Sequence, residues 1–134
     1  MNTIVLLLSL LLPPTSHSMT IQVDNLKKAN GDLIIMIYRR SDDFLGDDAY
    51  KSFTVSAKAP MTTTSISLPA GDYGVFVGHD VNGDGKVNQN FLGLPTEGVG
   101  VSQNKLGGLT KPSFDDCRIN LTGDRNVRIR LVYY

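Results

Sequence analysis

The sequence predicts an all-β domain, folded as an antiparallel β-sandwich of about seven strands. Three observations carry this. The 134 residues hold twelve Asp but a single Glu, Glu97, and only five Ala, so the residues that ordinarily coat helix surfaces are scarce. Val, Ile and Thr recur in short alternating runs, the period-2 signature of strands with one buried face. Turn residues, chiefly Gly, Asn, Asp and Pro, separate those runs at short intervals.

Length and composition bound the function classes. The chain suits one domain, and its 41% hydrophobic content can bury a core. Thirteen basic residues balance thirteen acidic ones, and no long basic run is present, which argues against a nucleic-acid partner.

The chain opens with an apolar run, Ile4 to Leu12, closed by Pro13-Pro14. Nine residues cannot span a bilayer, which needs about 20, so no transmembrane segment is expected in the mature chain. The run has the length of a secretory h-region, and Ser16-x-Ser18 offers a small-x-small cleavage site. Residues 1–18 therefore read as a signal peptide and 19–134 as a single β-sandwich domain, exported to the periplasm or outside. The n-region, Met1-Asn2-Thr3, lacks Lys and Arg, and the competing reading makes Met19 the initiator of a cytosolic protein.

Along the mature chain, Asn30-Gly31 between two apolar runs predicts a type I′ turn joining Ile21–Leu26 and Leu33–Tyr38 in a hairpin. Leu33–Tyr38 is apolar on both faces and belongs in the middle of its sheet. Lys51–Ala57, Thr62–Leu68 and Tyr73–His79 follow as strands, with Arg118–Leu121 a further short one. The last strand alternates most cleanly, with Val127, Ile129, Leu131 and Tyr133 inward and Arg128 and Arg130 outward. Cys117 is the only cysteine, so no intramolecular disulfide can form, and it reads as a small apolar residue.

Ten of the thirteen glycines fall between Gly71 and Gly108. Residues 80–112 show no clear strand or helix pattern, so a long Gly-rich loop is expected there. Its Phe91, Leu92, Leu94, Val99, Val101 and Leu106 are too apolar for a solvated linker.

That loop opens with Asp80-Val81-Asn82-Gly83-Asp84-Gly85-Lys86-Val87-Asn88, the first half of a D-x-[DN]-x-[DN]-G calcium loop. Oxygens at alternate positions of such a turn converge on one point. Asp80, Asn82 and Asp84 would supply side-chain oxygens, Lys86 its carbonyl, and Asn88 a direct or water-borne contact. The bidentate Glu of the twelfth position is replaced by Phe91, so a further ligand has to come from Glu97, or from Asp115 or Asp116, after the chain folds back. The expected cofactor is calcium, held weakly. The competing reading is a metal-free turn held by Asn and Asp side chains.

Leu68-Pro69-Ala70-Gly71-Asp72-Tyr73, leading into Val77-Gly78-His79-Asp80 and the loop just described, resembles the bacterial exported family catalogued as "domain of unknown function 2141". Gly93-Leu94-Pro95-Thr96-Glu97-Gly98-Val99-Gly100-Val101-Ser102 and Pro112-Ser113-Phe114-Asp115-Asp116 extend the resemblance over Met19–Tyr134. It implies a small transthyretin- or immunoglobulin-like sandwich behind a signal peptide, with Cys117 where the family has an Ala-like residue. It implies no activity.

Two functional readings follow. A non-catalytic binding or structural module of the cell envelope would use the loop to meet an envelope protein or a glycan. A small extracytoplasmic hydrolase, glycan-directed for example, would draw on His79, Asp80, Asp84, Glu97, Ser102, Ser113, Asp115 and Asp116. Gly100-Val101-Ser102 lacks the closing glycine of a nucleophile elbow, and no catalytic residue is assigned.

Overall fold

The computed structural model describes residues 15–81, 85, 97–106 and 111–133. Eight strands form two sheets. One has the order β4-β1-β8, built from β1 (Ser16–Asp24), β4 (Thr62–Pro69) and β8 (Arg125–Arg130). The other has the order β3-β2-β5-β6, from β2 (Asp32–Arg39), β3 (Lys51–Ser56), β5 (Gly71–Asp80) and β6 (Val99–Val101). β7 (Ile119–Leu121) also pairs β5, at its other end. A sandwich results, and the side chains that face between the sheets explain it. Met19, Ile21 and Val23 of β1, Leu33, Ile35 and Ile37 of β2, Val75 and Val77 of β5, and Val127 and Ile129 of β8 are all buried in one cluster. Each strand contributes every second residue, as alternation requires.

The structure corrects three expectations. The hairpin through Asn30-Gly31 does not form, because β1 and β2 lie in different sheets. Gly31 does take a positive φ of 80°, but Asn30 does not, and a type I′ turn needs both. Asn25, at φ 68°, instead turns the chain out of β1, and the connection crosses from one sheet to the other. This burial of both apolar faces against each other is stronger than the local turn preference. Second, the sandwich is not wholly antiparallel, since β1 and β8 run parallel from Met19↔Arg125 to Asp24↔Arg130. Third, the stretch 80–112 is not one loop: β6 and a 3-10 turn, Ser102–Asn104, lie within it. β1 begins at Ser16, inside the segment read as a signal peptide, and residues 1–14 lie outside the described set.

The outer face of the larger sheet is capped at one end. Phe44 packs edge-on against Tyr38 (5.3 Å between centroids) and against Phe114 (5.8 Å). Gly74 makes room, since a methyl there would press on the Phe44 ring. The Tyr38 hydroxyl donates to the Gly46 carbonyl at 2.7 Å, and burial, with Asp47, Asp43 and Asp42 nearby, pushes its pKa up to about 12.

Phe114 opens the single helical turn α1 (Phe114–Cys117), which is started by a capping box. The Ser113 hydroxyl accepts from the Asp116 N–H at 3.2 Å, and the Asp116 carboxylate accepts from the Ser113 N–H at 3.0 Å. α1 ends on Cys117, which is fully buried, and burial first, then the Asp116 charge, pushes its thiol up to about 11. We predict that at about pH 8 a disulfide-exchange reagent labels Cys117 in the native protein far more slowly than in denaturant. Equal labelling rates in the two states would contradict the burial.

Candidate functional site

β5 is buried along most of its length, and it delivers His79 and Asp80 to the base of the glycine-rich segment. His79 is fully buried, and three elements meet on it. Its backbone N–H donates to the Gly98 carbonyl at 2.8 Å. Its Nε2 lies 2.9 Å from the Asn30 carbonyl, and its Nδ1 lies 3.1 Å from the Tyr133 hydroxyl. A carbonyl only accepts, so Nε2 carries the proton and Nδ1 accepts from Tyr133. The Tyr133 oxygen then accepts from the Lys27 N–H at 3.2 Å. His79 is thus a satisfied buried histidine, joining the 29–31 turn, the Gly98 backbone and the C-terminal segment. The approach is close: a methyl on Gly31 would overlap the Asp80 carbonyl. The Val99↔Val132 bridge completes the base, with N–H···O bonds of 2.9 and 2.7 Å.

Two carboxylates flank this base. Asp80 is 2% exposed, and its Oδ2 accepts from the Gly85 N–H at 2.8 Å. That bond ties the first position of the predicted calcium loop to its sixth, where Gly85 has φ 78°. Glu97 is 7% exposed, and its Oε2 accepts from the Val81 N–H at 2.5 Å. The two acidic side chains therefore close both ends of the segment over one backbone turn. Asp32 stands directly opposite Asp80 in the β2–β5 ladder.

Of the six predicted donors, the structure describes Asp80 and Glu97; Asn82, Asp84, Lys86 and Asn88 lie outside the described residues, as does Phe91. Among the described residues, no group of three or more His, Cys, Asp and Glu is gathered closely enough to hold a metal ion. The donors present are hard oxygens on buried carboxylates, the kind of donor that calcium takes. Their geometry alone supplies an incomplete shell.

The remaining polar residues are dispersed. Ser102 is buried, where its hydroxyl accepts from the Val75 N–H at 3.0 Å and donates to the Cys117 carbonyl at 2.5 Å. Ser113 and Asp116 form the capping box, and Asp115 pairs with Arg40 at 2.8 Å. None of them lies beside His79 through a hydrogen bond described above. Sequence reasoning missed Asn30, Asp32 and Tyr133 as parts of the base. Asn30 and Asp32 were visible in the polar turn before β2, but the expected hairpin sent that turn elsewhere. Tyr133 could be found only as the last inward position of the final strand. Replacing Tyr133 by Phe removes the donor to His79 Nδ1, and we predict a loss of about 1–3 kcal/mol in chemical unfolding. Unchanged stability would show that the His79–Tyr133 bond contributes nothing.

Comparison with known proteins gives one match. No curated protein and no solved structure matches the chain significantly. A family model described as "Uncharacterized protein conserved in bacteria (DUF2141)" matches residues 21–130. The match runs from the buried residues of β1 to the end of β8 and takes in Asp80, Gly85 and Glu97. The chain belongs to this bacterial family.

Proposed function

We propose that the protein is an exported, non-catalytic binding or structural module of the cell envelope, whose loop after β5 holds a weakly bound calcium ion. The observation that carries the ion is the pair of buried carboxylates, Asp80 and Glu97, fixed by the Gly85 and Val81 N–H groups at the two ends of a D-x-N-x-D-G loop. A cation there would meet carboxylate oxygens that the fold has already positioned. In this reading Asn82, Asp84, the Lys86 carbonyl and Asn88 complete the shell, with Glu97 as the added carboxylate.

Export rests on the apolar run and the cleavage motif, and one feature of the sheet supports cleavage after Ser18. Met19 is the first fully buried residue of β1 and the first to pair with β8, so a chain starting there keeps the three-stranded sheet. Among the described residues, no helix is long and apolar enough to cross a membrane. The binding role is supported by the fate of the polar residues: His79, Ser102, Ser113 and Asp116 are engaged in holding the fold. The partner in this reading is an envelope protein or a glycan, met by the loop's outer surface.

The test is thermal unfolding in EDTA and in about 5 mM Ca²⁺, with Asp84→Ala as control. A dissociation constant in the weak extracellular range of about 10⁻⁴–10⁻³ M gives about 1–2 kcal/mol of stabilisation at that concentration. The rise in Tm is expected in the wild type and lost in Asp84→Ala. Equal melting with and without calcium in the wild type would sink the ion site.

A further inference from the structure

We propose that β4 is a docking edge for a second copy of this chain, joined antiparallel about a two-fold axis at Ser65. β4 pairs on one side with β1 over eight residues, Ser16↔Pro69 to Val23↔Thr62, and it is the outer strand of its sheet. Exposed edges are normally blunted by charge. The opposite edge of the same sheet, β8, carries Arg125, Arg128 and Arg130, and the edge strand β3 of the other sheet starts at Lys51. β4 reads TTTSISLP and has no charge at all.

The sequence of β4 is complementary to itself. With Ser65 opposite its own copy, Thr63 faces Ser67, Thr64 faces Ile66, and Thr62 faces Leu68. Every outward pair is then hydroxyl against hydroxyl, a favourable cross-strand pairing. The sheet already uses that chemistry, since Thr20 Oγ1 and Ser65 Oγ lie 2.9 Å apart on neighbouring strands. The same register sets Met61 against Pro69. Met61, 46% exposed, is the exposed large hydrophobic among the described residues, and it directly precedes β4.

A groove of about 260 Å³ between the β3 and β4 edges exposes Phe53 and Ile66, with Lys51, Ser52 and Ser65 at its rim. The inward Thr64 and Ile66 of a second β4 would extend the apolar layer past this groove. A two-fold pairing consumes both open edges and closes, so it yields a dimer and not a filament.

The test is sedimentation of the protein expressed from the full chain, over a micromolar concentration series. The wild type is expected to sediment as a dimer, and Ser65→Lys, which sets two ammonium groups against each other, to weaken association at least ~10-fold. Asn126→Lys on β8, the opposite edge of the same sheet, is expected to leave it unchanged. Ser65→Cys is expected to form a disulfide-linked dimer under oxidation, because Cα atoms opposed at about 4.5–5.5 Å lie within disulfide range. Cys117 is buried, so the wild type stays unlinked. A wild type that is monomeric throughout overturns the proposal, and so does a dimer that survives Ser65→Lys and does not cross-link through Ser65→Cys.

Discussion

An imidazole shut away from water must find its donor and its acceptor within the protein, and at His79 this requirement organises one end of the sandwich. Its two nitrogens and its backbone N–H call on Asn30, Tyr133 and Gly98, which come from three separate parts of the chain. Leaving any of those bonds unmade strands a buried polar group, which costs about 1–3 kcal/mol. The turn before β2, the start of β6 and the C-terminal residues are therefore held in one arrangement. Asp80 follows His79 in the chain, so its carboxylate inherits that fixed position.

Several of the polar residues on which a hydrolase reading would draw also hold the fold. An all-β chain with many crossings leaves N–H and C=O groups without ladder partners, and each has to be met. Ser102 meets two of them where β5, the 3-10 turn and α1 converge, binding Val75 and Cys117. Ser113 and Asp116 meet two more at the start of α1. Among the described residues no buried side-chain nitrogen or oxygen lacks a hydrogen-bond partner.

What the sequence made legible was whatever depended on period 2. Leu33–Tyr38 was identified as an inner strand because both its faces are apolar, and Val127, Ile129 and Leu131 were assigned to the core from alternation alone. Pairing was less legible, because Asn-Gly states a local turn preference while the partner of β1 is chosen by burial across the whole sandwich. β6 escaped notice because three residues, Val-Gly-Val, carry almost no periodicity, and its glycine is there for contact: a methyl on Gly100 would press on Ile129. At the site, Asp80 was named from spacing and Glu97 as one of three carboxylates that a folded-back chain could bring, whereas Asp32 belongs to it only through the β2–β5 register.

The parallel pairing of the first and last strands gives the molecule a mechanical character. β1 meets β8 at Met19 opposite Arg125, and the two part at Asp24 opposite Arg130. A pull that separates the chain's two ends slides these strands along each other, so the hydrogen bonds between them share the load at once. A terminal hairpin under the same pull would open one bond at a time. A domain tethered at its N-terminal end and loaded at the other thus meets the force in shear, with its most buried residues still packed behind the ladder.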